Sequence, residues 1–146
     1  MEFIVKKFSE LTTSELYEIL ALRSEVFVVE QDCVYLDVDG KDQEALHVFG
    51  TKDNKIIAYT RIFKPGDYFK NASIGRVVVQ QNQRKFKYGH ELITASIQVI
   101  NNSFNTKEIT LSAQTYLVKF YNSHGFITVG EEYLEDDIPH IEMVLK

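Results

Sequence analysis

The chain has 146 residues, of which 45% are hydrophobic and 25% are charged. A chain of this length buries about two thirds of its unfolded surface, so we expect one domain over residues 1–146 that needs no disulfide or metal. The net charge of −5 argues against a broad nucleic-acid or membrane surface, and no apolar run reaches the ~18 residues of a membrane span. A single cysteine and a start unlike a signal peptide lead us to expect a cytoplasmic protein.

The first part of the chain predicts a short edge strand and an amphipathic helix. Residues 3–5 are apolar and form the strand, and Thr12 can cap the helix, with Glu15 closing a capping box. Arg23 recurs along the apolar stripe of this helix. Because an arginine in such a place usually pairs with a structural carboxylate, we expect that role for Arg23.

From residue 28 to residue 42 the helical period is lost, which predicts an irregular flap. The flap is acidic and carries Glu30, Asp32, Asp37, Asp39 and Asp42 around Cys33, Val34, Tyr35 and Leu36. A solvated loop and a site for a cationic amine explain this pattern equally well. For Cys33 a free thiol without a chemical role is favoured, because no histidine or cation adjoins it in sequence.

The middle of the chain predicts three strands. Residues 45–51 and 56–63 flank a turn that contains Asp53 and Asn54, which tolerate the positive φ of a tight hairpin. Residues 74–79 are apolar almost throughout, as is typical of a strand covered on both faces, and Gly75 is a candidate β-bulge.

A polar loop, residues 80–87, joins the third strand to a helix predicted over residues 88–100, which stops at Asn101 and Asn102. The first N–H groups of a helix lack partners and carry the positive end of its dipole, and Arg84, Lys85 and Lys87 add charge there. Such a corner attracts phosphate, and Gly89 would let the backbone approach a bound group. On spacing alone, a solvated basic turn is the simpler interpretation.

The last part of the chain predicts further strands and one short helix. These elements are a strand over residues 109–113, a helix over 116–124 ended by Gly125, a strand over 127–129, an acidic turn over 131–137 and a strand over 141–145. A strand–helix–strand unit is expected to be parallel. Gln114 would then lie near the same strand ends as the basic loop, where ligands bind in open α/β sheets.

Two motifs follow the predicted sheet: Arg84-x-x-Lys87-x-Gly89 after the valine-rich strand, and Phe120-Tyr121-x-x-x-Gly125-Phe126 one strand later. Their order resembles the GNAT superfamily of acetyl-coenzyme A-dependent acyltransferases over nearly the whole chain. Residues 23–31, 37–40, 74–79, 113–114 and 138–141 are similar to its ElaA-type branch. The chain departs from the superfamily pattern at Lys87, where glycine is preferred, and from the branch at Val34, where proline is usual.

This resemblance implies an α/β fold with a mixed β-sheet, flanked by helices, that splays open between the strands of Val77 and Leu111. Acetyl-coenzyme A would occupy the gap as a co-substrate, without a metal. The implied contacts are backbone groups of Val77, Val78 and Val79 for the acyl and pantetheine portion, backbone N–H groups of Arg84, Lys85, Phe86, Lys87, Tyr88 and Gly89 for the pyrophosphate, and Gln114 for the pantetheine arm. Tyr121 matches the tyrosine that faces the thioester sulfur.

Acyl transfer to an amine also requires a base. An amine with a pKa of ~10.4 is neutral in about one molecule in two to three thousand at pH 7, equivalent to roughly 4.6 kcal/mol. Tyr121, with an ordinary pKa of ~10, is a weaker acid than a thiol of ~8.5 and acts first as a hydrogen-bond donor. The candidate bases are Glu30, Asp39, His47, His140 and Glu142, of which His140 and Glu30 are preferred, with relay through water as the alternative.

The expected acceptor is a primary amine of a small molecule or a peptide, and a homodimer is compatible with the sequence. An Arg-x-x-x-Phe element at Arg23 to Phe27 also resembles acyl-homoserine-lactone synthases, although the chain is short for them and lacks tryptophan. A non-catalytic sensor that binds acyl-coenzyme A is the second alternative.

Overall fold

The protein folds around one mixed β-sheet, and its computed structural model describes residues 1–146. The strands are β1 (Glu2–Lys7), β2 (Leu46–Lys52), β3 (Lys55–Phe63), β4 (Ala72–Val79), β5 (Ile109–Gln114), β6 (Ile127–Glu135) and β7 (Ile138–Leu145). The helices are α1 (Thr13–Arg23), α2 (Tyr88–Phe104) and α3 (Val118–Asn122). The strand order is β1-β2-β3-β4-β5-β7-β6, which places β1 at one edge, as predicted, and β6 at the other.

Two apolar clusters cover the two faces of this sheet. Val48 packs in the cluster that contains Ile93 and Ile100 of α2, whereas the next residue, Phe49, packs with Ile19 of α1. Because successive side chains of a strand point to opposite faces, α1 and α2 cover opposite sides of the sheet. The α/β class and the flanking helices are therefore as the resemblance implied.

The start of α1 is confirmed, and the helical segment continues to Glu30, past the predicted start of the flap at residue 28. The Thr12 side chain accepts a hydrogen bond from the Glu15 amide at 3.0 Å, and the Glu15 carboxylate accepts one from the Thr12 amide at 2.8 Å. The chain continues past α1 as a π-helix over Ser24–Glu30. Its wider turns, bonded from residue i to i+5, carry no 3.6-residue period, which is why the flap was predicted to start too early.

The prediction that Arg23 pairs with a structural carboxylate is confirmed. Its guanidinium, which is fully buried, donates to Asp37 at 2.7 Å and to Asp42 at 2.8 Å. Arg61 shares Asp42 at 3.0 Å and binds both oxygens of Asp39 at 2.8 Å. These charges can be buried only because each one is paired with a group of opposite charge.

Arg76 completes this network, with its Nε 2.8 Å from Asp37 and its Nη2 donating to the Asp37 carbonyl at 2.9 Å. We call Arg23, Arg61, Arg76, Asp37, Asp39 and Asp42 the arginine–aspartate network. Three of the five flap acids thus pair with arginines of this network, and a fourth, Glu30, pairs with Arg84. Neither a solvated loop nor a free site for a cationic amine describes these acids, so both interpretations of the flap are wrong.

Two tight hairpin turns connect neighbouring strands of the sheet. The β2–β3 turn at Asp53 and Asn54 is confirmed, with φ of 54° and 62°. The segment predicted as an acidic turn over residues 131–137 is mostly strand β6, and the turn itself is only Asp136 and Asp137, with φ of 50° and 64°. Like the first turn, it places two short polar residues in the left-handed region.

The sheet opens between β4 and β5, as the resemblance implied. The parallel pairing between these strands is limited to Ala72 with Ile109 and Ser73 with Thr110. Beyond these pairs the strands diverge and leave a wedge. Opposite the wedge, β4 carries one extra residue between Gly75 and Val78, since these pair with Arg61 and Tyr59. The bulge lies directly after Gly75.

The helices that border the wedge differ from prediction at their ends. Helix α2 runs past Asn101 and Asn102 and ends before Asn105, which has a left-handed φ of 51°. The predicted helix over residues 116–124 is a 3₁₀ turn, Thr115–Leu117, followed by α3, and Gly125 has the expected left-handed φ, at 92°. None of the helices is both long enough and apolar enough to cross a bilayer.

Candidate active site

The wedge contains a cavity of about 360 Å³. Five parts of the chain line it: the end of the π-helix with the flap, Tyr68 of the segment between β3 and β4, strand β4 around its bulge, β5 with α3, and the β6–β7 hairpin. Of the residues predicted to form a site, it brings together Val77, Gln114, Tyr121 and His140. A volume of this size is typical of a small-molecule site.

Tyr121 is nearly buried, with 4% of its surface exposed. Its ring packs edge-on against Phe120 and Phe126, with centroids 5.1 Å and 6.0 Å away. Burial, and to a smaller degree Tyr116, raises the pKa of the Tyr121 phenol, and no protein group bonds its hydroxyl. The phenol is therefore held protonated, as a hydrogen-bond donor without a partner in the chain.

His140 is oriented by the hairpin that carries it. Its Nδ1 lies 2.6 Å from the carbonyl oxygen of Ile138 and its Nε2 lies 3.2 Å from a carboxylate oxygen of Glu135. Because a carbonyl oxygen only accepts, Nδ1 carries the proton and Nε2 is left free to take one.

The His140 ring is held on its other side by an aromatic stack. Tyr133 lies parallel to it, with centroids 6.2 Å apart and planes 21° apart, and the Tyr133 hydroxyl is hydrogen-bonded to Ser112 of β5. Stacking and the Nδ1 bond together fix both the plane and the tautomer of the imidazole.

The flap covers one side of the cavity. Gln114, at the end of β5, donates from its Nε2 to Oε1 of Gln31 at 3.4 Å, and the Cys33 thiol lies 3.5 Å from the Asp136 carbonyl. Both contacts run from the flap to the far side of the wedge. Cys33 thus lines the cavity, and no charged side chain is bonded to its sulfur.

Glu30 does not lie where a base is needed. Its carboxylate binds the Arg84 guanidinium through both oxygens, one of them 2.8 Å from Nη2, and it is not part of the cavity lining. The Arg84 Nε also donates to the Val79 carbonyl at 3.0 Å. The preference for Glu30 as a base is therefore wrong in this structure, because its charge is used to tie the π-helix to the loop after β4.

The loop expected to hold the pyrophosphate is more ordered than predicted. Residues Gln81–Phe86 form a 3₁₀ helix, whose bonds from residue i to i+3 occupy its own amides, and Lys87 donates its amide to the Arg84 carbonyl at 3.1 Å. No residue from Arg84 to Gly89 lines the cavity. A cradle made of all six amides is thus not present.

The first turn of α2 remains as the anion-binding part of this corner. Its N-cap, Lys87, gives no side-chain hydrogen bond, which leaves the amides of Tyr88 and Gly89 without a side-chain cap. Lys87 has a left-handed φ of 60°, which explains why glycine suits this position. A Cβ on Gly89 would lie 3.4 Å from the Phe120 ring, which is an ordinary van der Waals contact, so the packing of α2 on α3 does not by itself require a glycine there.

The aromatic residues of the loop face outward. Phe86 is 46% exposed, packs on Tyr88 with centroids 5.4 Å apart, and carries the Lys52 ammonium 3.9 Å from its ring centre. Lys85 lies 5.2 Å from the same ring centre. These side chains form an exposed cationic and aromatic surface beside the first turn of α2.

The three valines of β4 divide between the wedge and the core. Val77 lines the cavity, and Val78 is buried in the cluster under α1 and pairs with Tyr59 of β3. The Val79 carbonyl accepts a hydrogen bond from the Arg84 Nε. Only Val77 is therefore placed to offer its backbone to a group in the wedge.

The other candidate bases lie outside the cavity. His47 is fully buried and lies against the arginine–aspartate network, where its Nε2 donates to the Asp42 carbonyl at 2.9 Å and its Nδ1 accepts from the Tyr59 hydroxyl at 2.7 Å. Asp39 binds Arg61, and Glu142 does not line the cavity. Of the five candidate bases, His140 alone lines the cavity that Tyr121 also lines.

Sequence reasoning missed the partners of His140 and the bulge residue. Glu135, Tyr133 and Ser112 position the imidazole, and Arg76, with a left-handed φ of 47°, turns β4 at the cavity. The sequence did contain a signal for the partners of His140. Asp136 and Asp137 are suited to a two-residue hairpin turn, which would have paired the strands around Glu135 and His140.

A mixed sheet that splays open, with a cavity where the strands diverge, is the arrangement that the family resemblance implied. The acetyltransferase (GNAT) domain family matches residues 11–146, and the chain belongs to this family. It is therefore a GNAT-type acyltransferase, a family that uses acyl-coenzyme A as co-substrate.

Individual relatives agree with this assignment. Protein ElaA of Escherichia coli K12 is 44% identical over 137 residues, which cover 92% of this chain and 90% of ElaA, and its crystal structure superposes with a TM-score of 0.91. An acyl-CoA N-acyltransferase from Pseudomonas aeruginosa is 39% identical, with a TM-score of 0.93 and full coverage of both chains. The CoA-dependent acyl-homoserine lactone synthase BjaI, at 15% identity, a TM-score of 0.77 and coverage of 97% and 80%, shares the fold alone.

Proposed function

We propose that this protein transfers an acetyl group from acetyl-coenzyme A directly to a primary amine. The observation that carries the proposal is the pairing, in one cavity, of the unpartnered Tyr121 phenol with a His140 whose Nε2 is backed by Glu135. A donor and a proton acceptor facing one space are what attack on a thioester by an amine requires.

The residues of the wedge fit the thioester end of acyl-coenzyme A. The space between β4 and β5 is lined by Ile74, Val77 and Leu111 on its apolar side, and the Gln31–Gln114 contact offers amide groups that match those of a pantetheine arm. Acetyl-coenzyme A supplies the acyl group as a thioester. The phosphate end would lie at the first turn of α2, where Lys85 and Lys87 add positive charge.

Tyr121 acts on the departing sulfur as a hydrogen-bond donor. Because burial raises the pKa of its phenol, full transfer of its proton to a thiolate is more costly than for a free tyrosine. A neutral phenol nevertheless stabilises developing negative charge through its O–H. Removal of this bond should slow the chemical step more than it weakens cofactor binding.

His140 removes the proton of the attacking amine. The new N–C bond forms as the C–S bond breaks, the amine proton passes to Nε2 of His140, and the thiolate leaves with the electron pair. At neutral pH an ammonium acceptor must first be deprotonated, at a cost of roughly 4.6 kcal/mol, before it can attack. No covalent enzyme intermediate is needed.

Calorimetry with acetyl-coenzyme A, followed by thiol release with a panel of primary amines, tests the proposal. We expect binding, and turnover that Tyr121→Phe lowers through kcat while the dissociation constant for acetyl-coenzyme A changes less than about threefold. Absence of any binding would refute the proposal.

The same experiment separates the two alternatives. A sensor would bind acetyl-coenzyme A without turning over any amine, and Tyr121→Phe would leave its function intact. An acyl-homoserine-lactone synthase would be active only with acyl-carrier or acyl-coenzyme A substrates together with S-adenosylmethionine. The likeness to BjaI is one of fold alone, so the amine acetyltransferase is preferred.

A further inference from the structure

The two sides of the wedge carry opposite charge. The side of the β4–α2 loop holds Lys85 and Lys87, together with Arg84, whose charge is paired with Glu30. No lysine or arginine occurs between Lys119 and Lys146, a stretch that contains six acids: Glu131, Glu132, Glu135, Asp136, Asp137 and Glu142. The β6–β7 hairpin is thus more negative than the chain as a whole, whose net charge is −5.

The hairpin acids, unlike those of the flap, are not neutralised. No arginine or lysine pairs with any of them, and the one ion pair of the hairpin joins Glu135 to His140 within it. Asp136 and Glu135 both line the cavity, and Asp136, which has no ion-pair partner, brings an unpaired negative charge to it. The buried and unpartnered Tyr121 hydroxyl in the same cavity is an independent sign that a ligand is received there.

We propose that the acceptor is a small amine that carries a second positive charge, of the diamine or polyamine class. This inference rests on the proposed function and specifies its substrate. One amine of such a molecule is deprotonated by His140 and attacks the thioester, while its distant ammonium is held by the Asp136 carboxylate at the hairpin turn. A monoamine could also be deprotonated and attack the thioester, but it has no second ammonium for Asp136 to bind.

Two observations favour a small acceptor over an extended peptide. The cavity of about 360 Å³ must hold the thioester end as well as the acceptor, which leaves room for a short chain. Strand β6 is an edge strand, but its pairing with β7 is interrupted between Val129 and Tyr133, where Gly130 has a φ of 74°. A bulged edge of this kind is poorly suited to adding a peptide strand.

The test compares Asp136→Asn with Asp137→Asn. Both positions lie in the same turn with left-handed φ, which asparagine adopts readily, and both changes remove one negative charge, but only Asp136 lines the cavity. The probes are 1,4-diaminobutane and 1-aminobutane, each with acetyl-coenzyme A at low and at physiological salt. The readout is the ratio of their kcat/KM values.

We expect wild type to prefer the diamine, and Asp136→Asn to lower the diamine-to-monoamine ratio about threefold to fivefold, which is the strength of a partly exposed ion pair. Asp137→Asn should keep the wild-type ratio. Added salt should reduce the preference of wild type and leave Asp136→Asn nearly unaffected.

The inference is overturned by equal kcat/KM values for diamine and monoamine in wild type, or by an equal fall of the ratio in both variants. Faster acetylation of a lysine-containing basic peptide than of the diamine would overturn the small-acceptor part. These results differ from failure of the proposed function, in which no amine of any kind releases thiol.

Discussion

The arginine–aspartate network and the β6–β7 hairpin both contain aspartates, but these aspartates have opposite roles in the two regions. In the network, Asp37 and Asp42 are 5% and 4% exposed and each lies between two arginines. In the hairpin, Asp136 and Asp137 are exposed and no cationic side chain pairs with them. Two aspartate-rich segments of one chain therefore have different tasks, one to hold the flap and the other to present charge.

The difference shows how partner and burial decide what a carboxylate does. A buried aspartate between arginines has no charge left to offer a substrate, and removing it leaves a cation in a medium of low dielectric. An exposed aspartate contributes little to stability, but its unpaired negative charge can attract an incoming cation. Acidic composition alone did not distinguish the two, since it suggested an amine site in the flap and only an acidic turn at residues 131–137.

The largest effect that separates the two regions is expected for Asp42→Asn. Asp42 accepts from both Arg23 and Arg61, so neutralising it leaves two buried guanidinium groups underpaired. We expect the free energy of unfolding, measured by urea denaturation, to fall by about 3–5 kcal/mol. Asp137→Asn is the control and should change it by less than about 0.5 kcal/mol. Similar losses in both variants would remove the contrast between the regions.

The second test uses one histidine from each region. His140→Asn should lower kcat about a hundredfold at neutral pH with stability retained, because the acceptor loses its base. The rate should recover as the pH approaches the pKa of the amine, which then needs no base. His47→Asn should lower stability by about 1–3 kcal/mol, since it leaves buried partners unbonded, while the folded fraction keeps its rate. Loss of rate in both variants to the same degree would contradict the assignment.

Local features of the fold were predictable because their partners lie close in sequence. The Thr12–Glu15 capping box and the Asp53–Asn54 turn depend on residues at most three positions apart. The burial of Arg23 followed from its place on the apolar stripe, although its partners at positions 37 and 42 could not be chosen from five nearby acids. The wedge and Tyr121 came from the family resemblance and not from periodicity.

The errors concern contacts between distant segments. Glu30 was preferred as a base because nothing local shows that Arg84, 54 positions later, occupies it. The same contact, with the 3₁₀ winding of the loop, occupies groups that were expected to face a diphosphate. Glu135 and His140 are only five positions apart, but the Asp136–Asp137 turn that joins them was hidden in a run of acids.

The third test follows stability against pH. Burial lowers the pKa of His47 from its ordinary value of 6.5, so the unfolded chain binds more protons below pH 6.5 and stability falls as the pH drops through that range. A second decline follows below pH 3.8. Although burial opposes it, pairing with Arg61 lowers the pKa of Asp39 to about 2, and pairing with Arg23 and Arg61 also lowers that of Asp42.

His47→Asn separates these two steps in a urea titration at each pH. The variant should lose the upper decline and keep the lower one, since the network aspartates still titrate. An upper decline that persists in His47→Asn would mean that another group causes it.

The smallest effect is expected at Glu132, which lies beside Glu131 in the bulged part of β6 and outside the cavity. Glu132→Gln removes one of several like charges that repel each other, and should raise the free energy of unfolding by up to about 0.5 kcal/mol at low salt. At high salt the gain should vanish, because exposed charges are screened within a few ångströms. The loss in Asp42→Asn should persist there, since a buried pair is screened much less. A salt-dependent loss at Asp42 would place the network at the surface, with the hairpin.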